Sequence, residues 1–185
     1  MARYAALLRG VNVGGITVKS AELAELFRSL GFSDVKTVLA SGNVLFSTPS
    51  ADASSAEHER VKTQIEKGLG ERFGYDAWIV LVDHDELAGI IAGYPFEEVD
   101  ERQPYVLFSS TAEALDEIAE FAANLDPSAD GESGRPGDGP GGQPVFYWEV
   151  PKGSSTETAL AKFLAKPRFK ATTTTRNLRT LRKLL

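Results

Sequence analysis

Residues 9–15 read Arg-Gly-Val-Asn-Val-Gly-Gly, and their types and spacing suit one kind of chemistry, the holding of an anion. Glycines at 10, 14 and 15 let backbone N–H groups turn toward a negative group, and a helix N-terminus close behind adds partial positive charge. Arg9 offers a planar fork matched to phosphate or carboxylate. Asn12 both donates and accepts, and it tolerates a left-handed backbone. The stretch carries neither fixed phosphate-loop signature: no lysine-hydroxyl pair directly follows Gly15, and the glycines do not fall as Gly-x-Gly-x-x-Gly. A tight strand-to-helix connection, with Asn12 bonded to its own backbone, is the competing account, stronger for Gly14 and Gly15 than for Arg9.

Two further stretches share this character. Ser41-Gly42-Asn43 is built from residues that tolerate positive φ. Four threonines, Thr172–Thr175, precede Arg176 and Asn177 where a helix should start. There the threonine hydroxyls cap the helix, or the helix N-terminus and Arg176 form a second anion corner. A single site requires Arg9, Asn43 and Arg176 to lie around one cavity.

Other chemistries have little material. The chain has no cysteine, which excludes thiol catalysis and iron–sulfur ligation, and zinc would need histidine and carboxylate ligands alone. The two histidines are His58 and His84. His58, amid Glu57, Glu59 and Arg60, reads as part of a solvated helix face. Asp83 followed by Glu86 reads as a capping box for a helix over 86–92 rather than a metal site. No metal or cofactor is expected. Ser41 has no evident base. If the protein is an enzyme, a question the sequence leaves open, these residues suit electrostatic stabilisation of an anionic transition state.

The elements that position these residues follow from periodicity. Tyr4–Leu8 is a short apolar run stopped by glycine, hence a buried strand. Ala21 to Leu30 keeps helical spacing, with Ser20 as N-cap and Gly31 at the C-terminal stop. Strands at 35–40 and 44–47 flank the Ser41-Gly42-Asn43 turn. A polar helix over 55–73 turns Val61, Ile65 and Leu69 inward, and a strand follows at 77–82. This β-α-β-β-α-β order is the split arrangement of ferredoxin-like folds.

A second half repeats part of that order. A strand over 105–109, a helix over 111–125, a strand over 145–150 and a helix over 156–164 precede Thr172–Thr175 and a basic C-terminal helix. Residues 126–143 contain no large apolar side chain and are expected as a mobile Gly/Pro-rich loop. The expected class is α+β, with two packed ferredoxin-like halves over 1–98 and 99–185, the second degenerate.

Charge and hydropathy bound the partners. The net charge is −6, yet nine Lys/Arg and one acid lie from Lys152 onward. That basic tail meets an anionic partner or lies against the chain's own acids. No apolar run approaches the roughly 20 residues of a membrane span, and the N-terminus lacks a signal peptide's apolar stretch. A cytoplasmic protein binding a small anionic or phosphorylated ligand is the first expectation. The alternatives are an RNA or single-strand binding module and an interaction module using the basic C-terminal helix.

The motifs RGVNVGG (9–15), LFRSLGF (26–32), SGNVLF (41–46) and TTRNLRTLRKL (174–184) together resemble the bacterial family catalogued as domain of unknown function 1697, DUF 1697. The resemblance implies an α+β structure with ferredoxin-like halves, and no known reaction. It places motif residues at Arg9, Asn12, Gly14, Gly15, Ser41, Gly42, Asn43, Arg176 and Asn177. It adds Lys152, in the Lys152-Gly153-Ser154 turn after the second half's tyrosine-bearing strand. The chain departs from the pattern at Leu178, where the family usually has tryptophan. It departs again at Val38-Leu39-Ala40, which is less polar. A third departure is 126–143, where a valine-bearing strand is usual.

Overall fold

The computed structural model describes residues 1–9, 17–38, 42–51 and 54–185. The expectations for Asn12, Gly14, Gly15 and Ser41 fall outside the described residues. The chain divides into two compact units, Met1–Asp85 with Leu184, and Glu86–Lys183 with Leu185.

The first unit runs β1 (Arg3–Arg9), α1 (Ser20–Ser29), β2 (Ser33–Val38), β3 (Asn43–Ser47), α2 (Ser55–Phe73) and β4 (Trp78–Asp83). Its antiparallel sheet has the order β2-β3-β1-β4. Side chains alternate across a strand, so Tyr4, Ala6 and Leu8 of β1 point to one face. There they meet Leu26 and Phe27 of α1 and Val61, Ile65 and Leu69 of α2. Ala5 and Leu7 point to the other face, with Leu45, Val80 and Val82, and these are buried too. The ends of α2 are fixed locally: the Ser54 hydroxyl accepts from Glu57 N at 3.3 Å, and Gly74 takes the left-handed conformation at φ 69°. α1 begins at Ser20 itself, preceded by Lys19 with no side-chain cap.

An edge strand leaves backbone groups unpaired. On β4 they are met from α2: Ile79 N donates to Glu66 Oε1 at 3.0 Å, and His58 bonds the Leu81 backbone.

The second unit takes most of α3 (His84–Ala92), then β5 (Arg102–Ser109), α4 (Ala112–Ala123), α5 (Pro127–Asp130), β6 (Ser133–Asp138) and β7 (Pro144–Pro151). It ends with α6 (Ala159–Leu164), α7 (Pro167–Lys170), β8 (Thr173–Asn177) and α8 (Leu178–Arg182). Its sheet order, β6-β7-β5-β8, is the same βαββαβ topology as in the first unit. The fold is therefore α+β, with two four-stranded antiparallel ferredoxin-like sheets, each packed with helices.

Two expectations need correction here. Residues 126–143 are not a loop, and the second sheet is complete: β6 pairs with β7 from Ser133↔Glu149 to Asp138↔Pro144. This strand is held by its backbone ladder and by close approach to aromatic rings rather than by apolar side chains of its own. A Cβ on Gly134 would lie 2.4 Å from Phe146 Cζ, and one on Gly137 2.3 Å from Tyr147 Cε2. At the strand's start Glu132 is fully buried, accepting from Trp148 Nε1 at 2.8 Å and from Leu160 N at 2.9 Å. The boundary between units also falls earlier than residue 98. α3 belongs largely with the second unit because Tyr147 Oη donates to Ile90 O at 2.8 Å and Gly89 lies directly under Pro140.

Candidate functional site

At the C-terminal end of β1, three side chains with chemical potential share one face of the first sheet. Register sets Leu7 opposite both Asn43 and Val80, and Arg9 opposite Trp78. Directly paired residues point the same way, so Arg9, Asn43 and Trp78 project from the face opposite α1 and α2. Arg9 and Asn43 are diagonal neighbours, roughly 7–8 Å apart at the backbone. The end is closed by Leu8 N donating to Gly42 O at 2.8 Å, with Gly42 at φ 72°. That left-handed conformation is why a glycine stands there.

Arg9 is half-buried, and burial lowers its pKa. A guanidinium nonetheless stays charged, so a partly desolvated cation stands at this end of the sheet. Asn43 is fully buried, and its Nδ2 donates to Val38 O at 3.1 Å. Part of its hydrogen-bonding capacity therefore closes the β2–β3 turn. Trp78 was not among the residues expected at a site. It is 39% exposed, the exposed aromatic among the large apolar side chains of the described residues. The signal available in the sequence was its parity: in the run from Ala77 to Val82, Ile79 and Leu81 carry the core alternation and Trp78 falls on the other face.

The remaining candidates lie in the second unit. Arg176 sits in β8 opposite Val106, and its Nη1 donates to Thr174 Oγ1 at 2.6 Å and to Thr175 O at 3.0 Å. Asn177 caps α8, its Oδ1 accepting from Arg179 N at 2.9 Å. The helix cap is thus the asparagine, and Thr173, Thr174 and Thr175 lie in the strand. Lys152 is exposed beyond the Arg102↔Pro151 end of the sheet, with its backbone N donating to Glu101 O at 2.9 Å. Arg176, opposite Val106, and Lys152, beside Glu101, lie at different levels along β5 and are not brought together. Concavities of about 260 Å³ beside Ser133 and Arg135, and of about 310 Å³ between Phe121 and Arg168, contain none of the expected residues.

The histidines differ from expectation in part. His58 is not on a solvated face: it is half-buried with its ring edge-on to Tyr4, centroids 5.9 Å apart at 88°. Burial lowers its pKa, outweighing the pull of Glu59 and Asp83 in the other direction. Asp83 does cap α3, its Oδ1 accepting from Asp85 N at 3.1 Å, although the helix begins at His84. The basic tail meets acids of its own unit: Arg168 pairs with Glu117 at 2.7 Å, and Arg182 grips Glu98 with both terminal nitrogens. Among the described residues no cluster of three or more His, Asp or Glu side chains is placed to hold a metal ion, and no helix is long and apolar enough to cross a membrane.

Comparison with curated proteins finds no match. Among solved structures, the chain is similar to the conserved bacterial protein SP0830 from Streptococcus pneumoniae, at 22% identity and a TM-score of 0.72, over 100% of this chain and 96% of that one. At that identity the likeness establishes the shared fold. The family model for DUF1697, described as a protein of unknown function, matches residues 1–132, and the chain belongs to that family.

Proposed function

We propose that this is a cytoplasmic protein that binds a small anionic or phosphorylated ligand at the Arg9 end of its first sheet. One observation carries the proposal: a half-buried guanidinium shares a sheet face and a strand end with the Asn43 amide and the exposed Trp78 ring. Coulomb attraction grows as the local dielectric falls. A partly desolvated arginine therefore rewards an anion more than one in open water. Its fork also donates to two oxygens of a phosphate or carboxylate at once.

The test is a thermal-shift screen of inorganic phosphate, sugar phosphates, nucleotides and carboxylates at two salt concentrations. A ligand at about 100 times its Kd stabilises by roughly 2.7 kcal/mol. Such a hit should vanish in Arg9→Ala. Hits that survive the substitution would place the ligand elsewhere. A steep loss of binding with salt, confined to polyanions, would move the assignment to a nucleic acid.

A further inference from the structure

We infer that the ligand is a nucleotide, with a planar aromatic ring stacked on Trp78 and a phosphate held by Arg9. This rests on reading the Arg9 end as an anion site, and it adds what the anion is attached to. Trp78 and Arg9 are direct cross-strand partners on one face, so their Cβ atoms are about 4.5–5.5 Å apart. A ring on the indole and an anion on the guanidinium thus belong to one small molecule.

Other aromatic side chains find partners inside the protein. Phe121 stacks on Phe163 at 4.1 Å, Tyr94 meets Tyr147 edge-on, and Arg135 lies 5.7 Å from the Phe96 centroid. The other tryptophan, Trp148, is buried with its Nε1 bonded to Glu132. Among the described residues Trp78 is the exposed aromatic side chain, at 39%. An indole face offers any nucleobase a stacking surface, because every base has a π-face.

Two tryptophans make the test direct. Adenosine monophosphate, ribose 5-phosphate, adenosine and inorganic phosphate are titrated against the full chain by calorimetry and by tryptophan fluorescence. Adenosine monophosphate should bind more tightly than ribose 5-phosphate and quench emission, and Trp78→Phe should abolish the quench while retaining the ring for binding. Trp78→Ala should cut the preference for adenosine monophosphate over ribose 5-phosphate by roughly 5- to 150-fold. Arg9→Ala should weaken both phosphates. Equal affinity for the two phosphates, or a preference that survives Trp78→Ala, overturns the stacking assignment while leaving an anion site in place. Failure of every phosphate to bind overturns the anion site as well.

Discussion

Glu132→Ala should destabilise the second unit by about 2–6 kcal/mol, since a buried donor left without an acceptor costs about 1–3 kcal/mol and two are orphaned here. The Glu132 carboxylate is fully buried, and each of its oxygens takes a different donor, Trp148 Nε1 at 2.8 Å and Leu160 N at 2.9 Å. One donor lies on β7 and the other in the first turn of α6, so the carboxylate ties the entry of β6 to both. Glu132→Gln keeps one acceptor oxygen and turns an amide N–H₂ toward the second donor. It should therefore cost about half as much, roughly 1–3 kcal/mol.

The assay is urea unfolding followed by Trp148 emission in a Trp78→Phe background, so that only the second unit's tryptophan reports. The midpoint should fall in the order wild type, Glu132→Gln, Glu132→Ala, with emission of the folded Ala variant shifted by loss of the indole's partner. A change below about 0.5 kcal/mol, the range of ordinary surface substitutions, would refute the clamp. It would also remove the main side-chain anchor of residues 126–143.

Gly134→Ala tests the same strand through packing: its Cβ would fall 2.4 Å from Phe146 Cζ, and Phe146 is buried in the core. Overpacking of this kind costs about 1–3 kcal/mol, read by the same urea midpoint, and a neutral result would show that β6 does not lie against that ring. His58 gives the first unit a pH dependence. Burial holds its pKa below the ordinary 6.5, so the folded state binds fewer protons than the unfolded chain as pH drops through 6.5, and stability is lost in that direction. In the window of roughly pH 7.5 to 5.5, His58→Gln should flatten the decline in unfolding free energy measured by far-ultraviolet circular dichroism. A slope unchanged by the substitution would assign the proton uptake elsewhere.

What could be read from the sequence and what could not divides along the sheets. β1, β3 and β7 were recovered to within a residue at either end, because both their faces are buried and their apolar runs end at turn residues; β5, also central, begins at Arg102, three residues before the expected Tyr105, since Arg102-Gln103-Pro104 carries no apolar run. α2 was recovered at both ends, since Ser54 and Gly74 are local signals that act on their own neighbours. Arg9 and Asn43 were legible for the same reason, as turn chemistry beside an apolar run. The larger misses are the strand β6 and the roles of Trp78 and His58. β6 escaped because glycines that look like disorder are the residues that let a strand pass beneath Phe146 and Tyr147. Trp78 escaped because its meaning lies in its cross-strand partner, and His58 because its partners are Tyr4 and the β4 backbone. An edge strand is completed by groups far away in the chain, so a local pattern underdetermines it. The same incompleteness leaves Trp78, on the edge strand β4, with a ring open to solvent beside Arg9. Local periodicity places β4 over 77–82, within a residue of Trp78–Asp83, yet it is the cross-strand pairing with Arg9 that gives Trp78 its meaning.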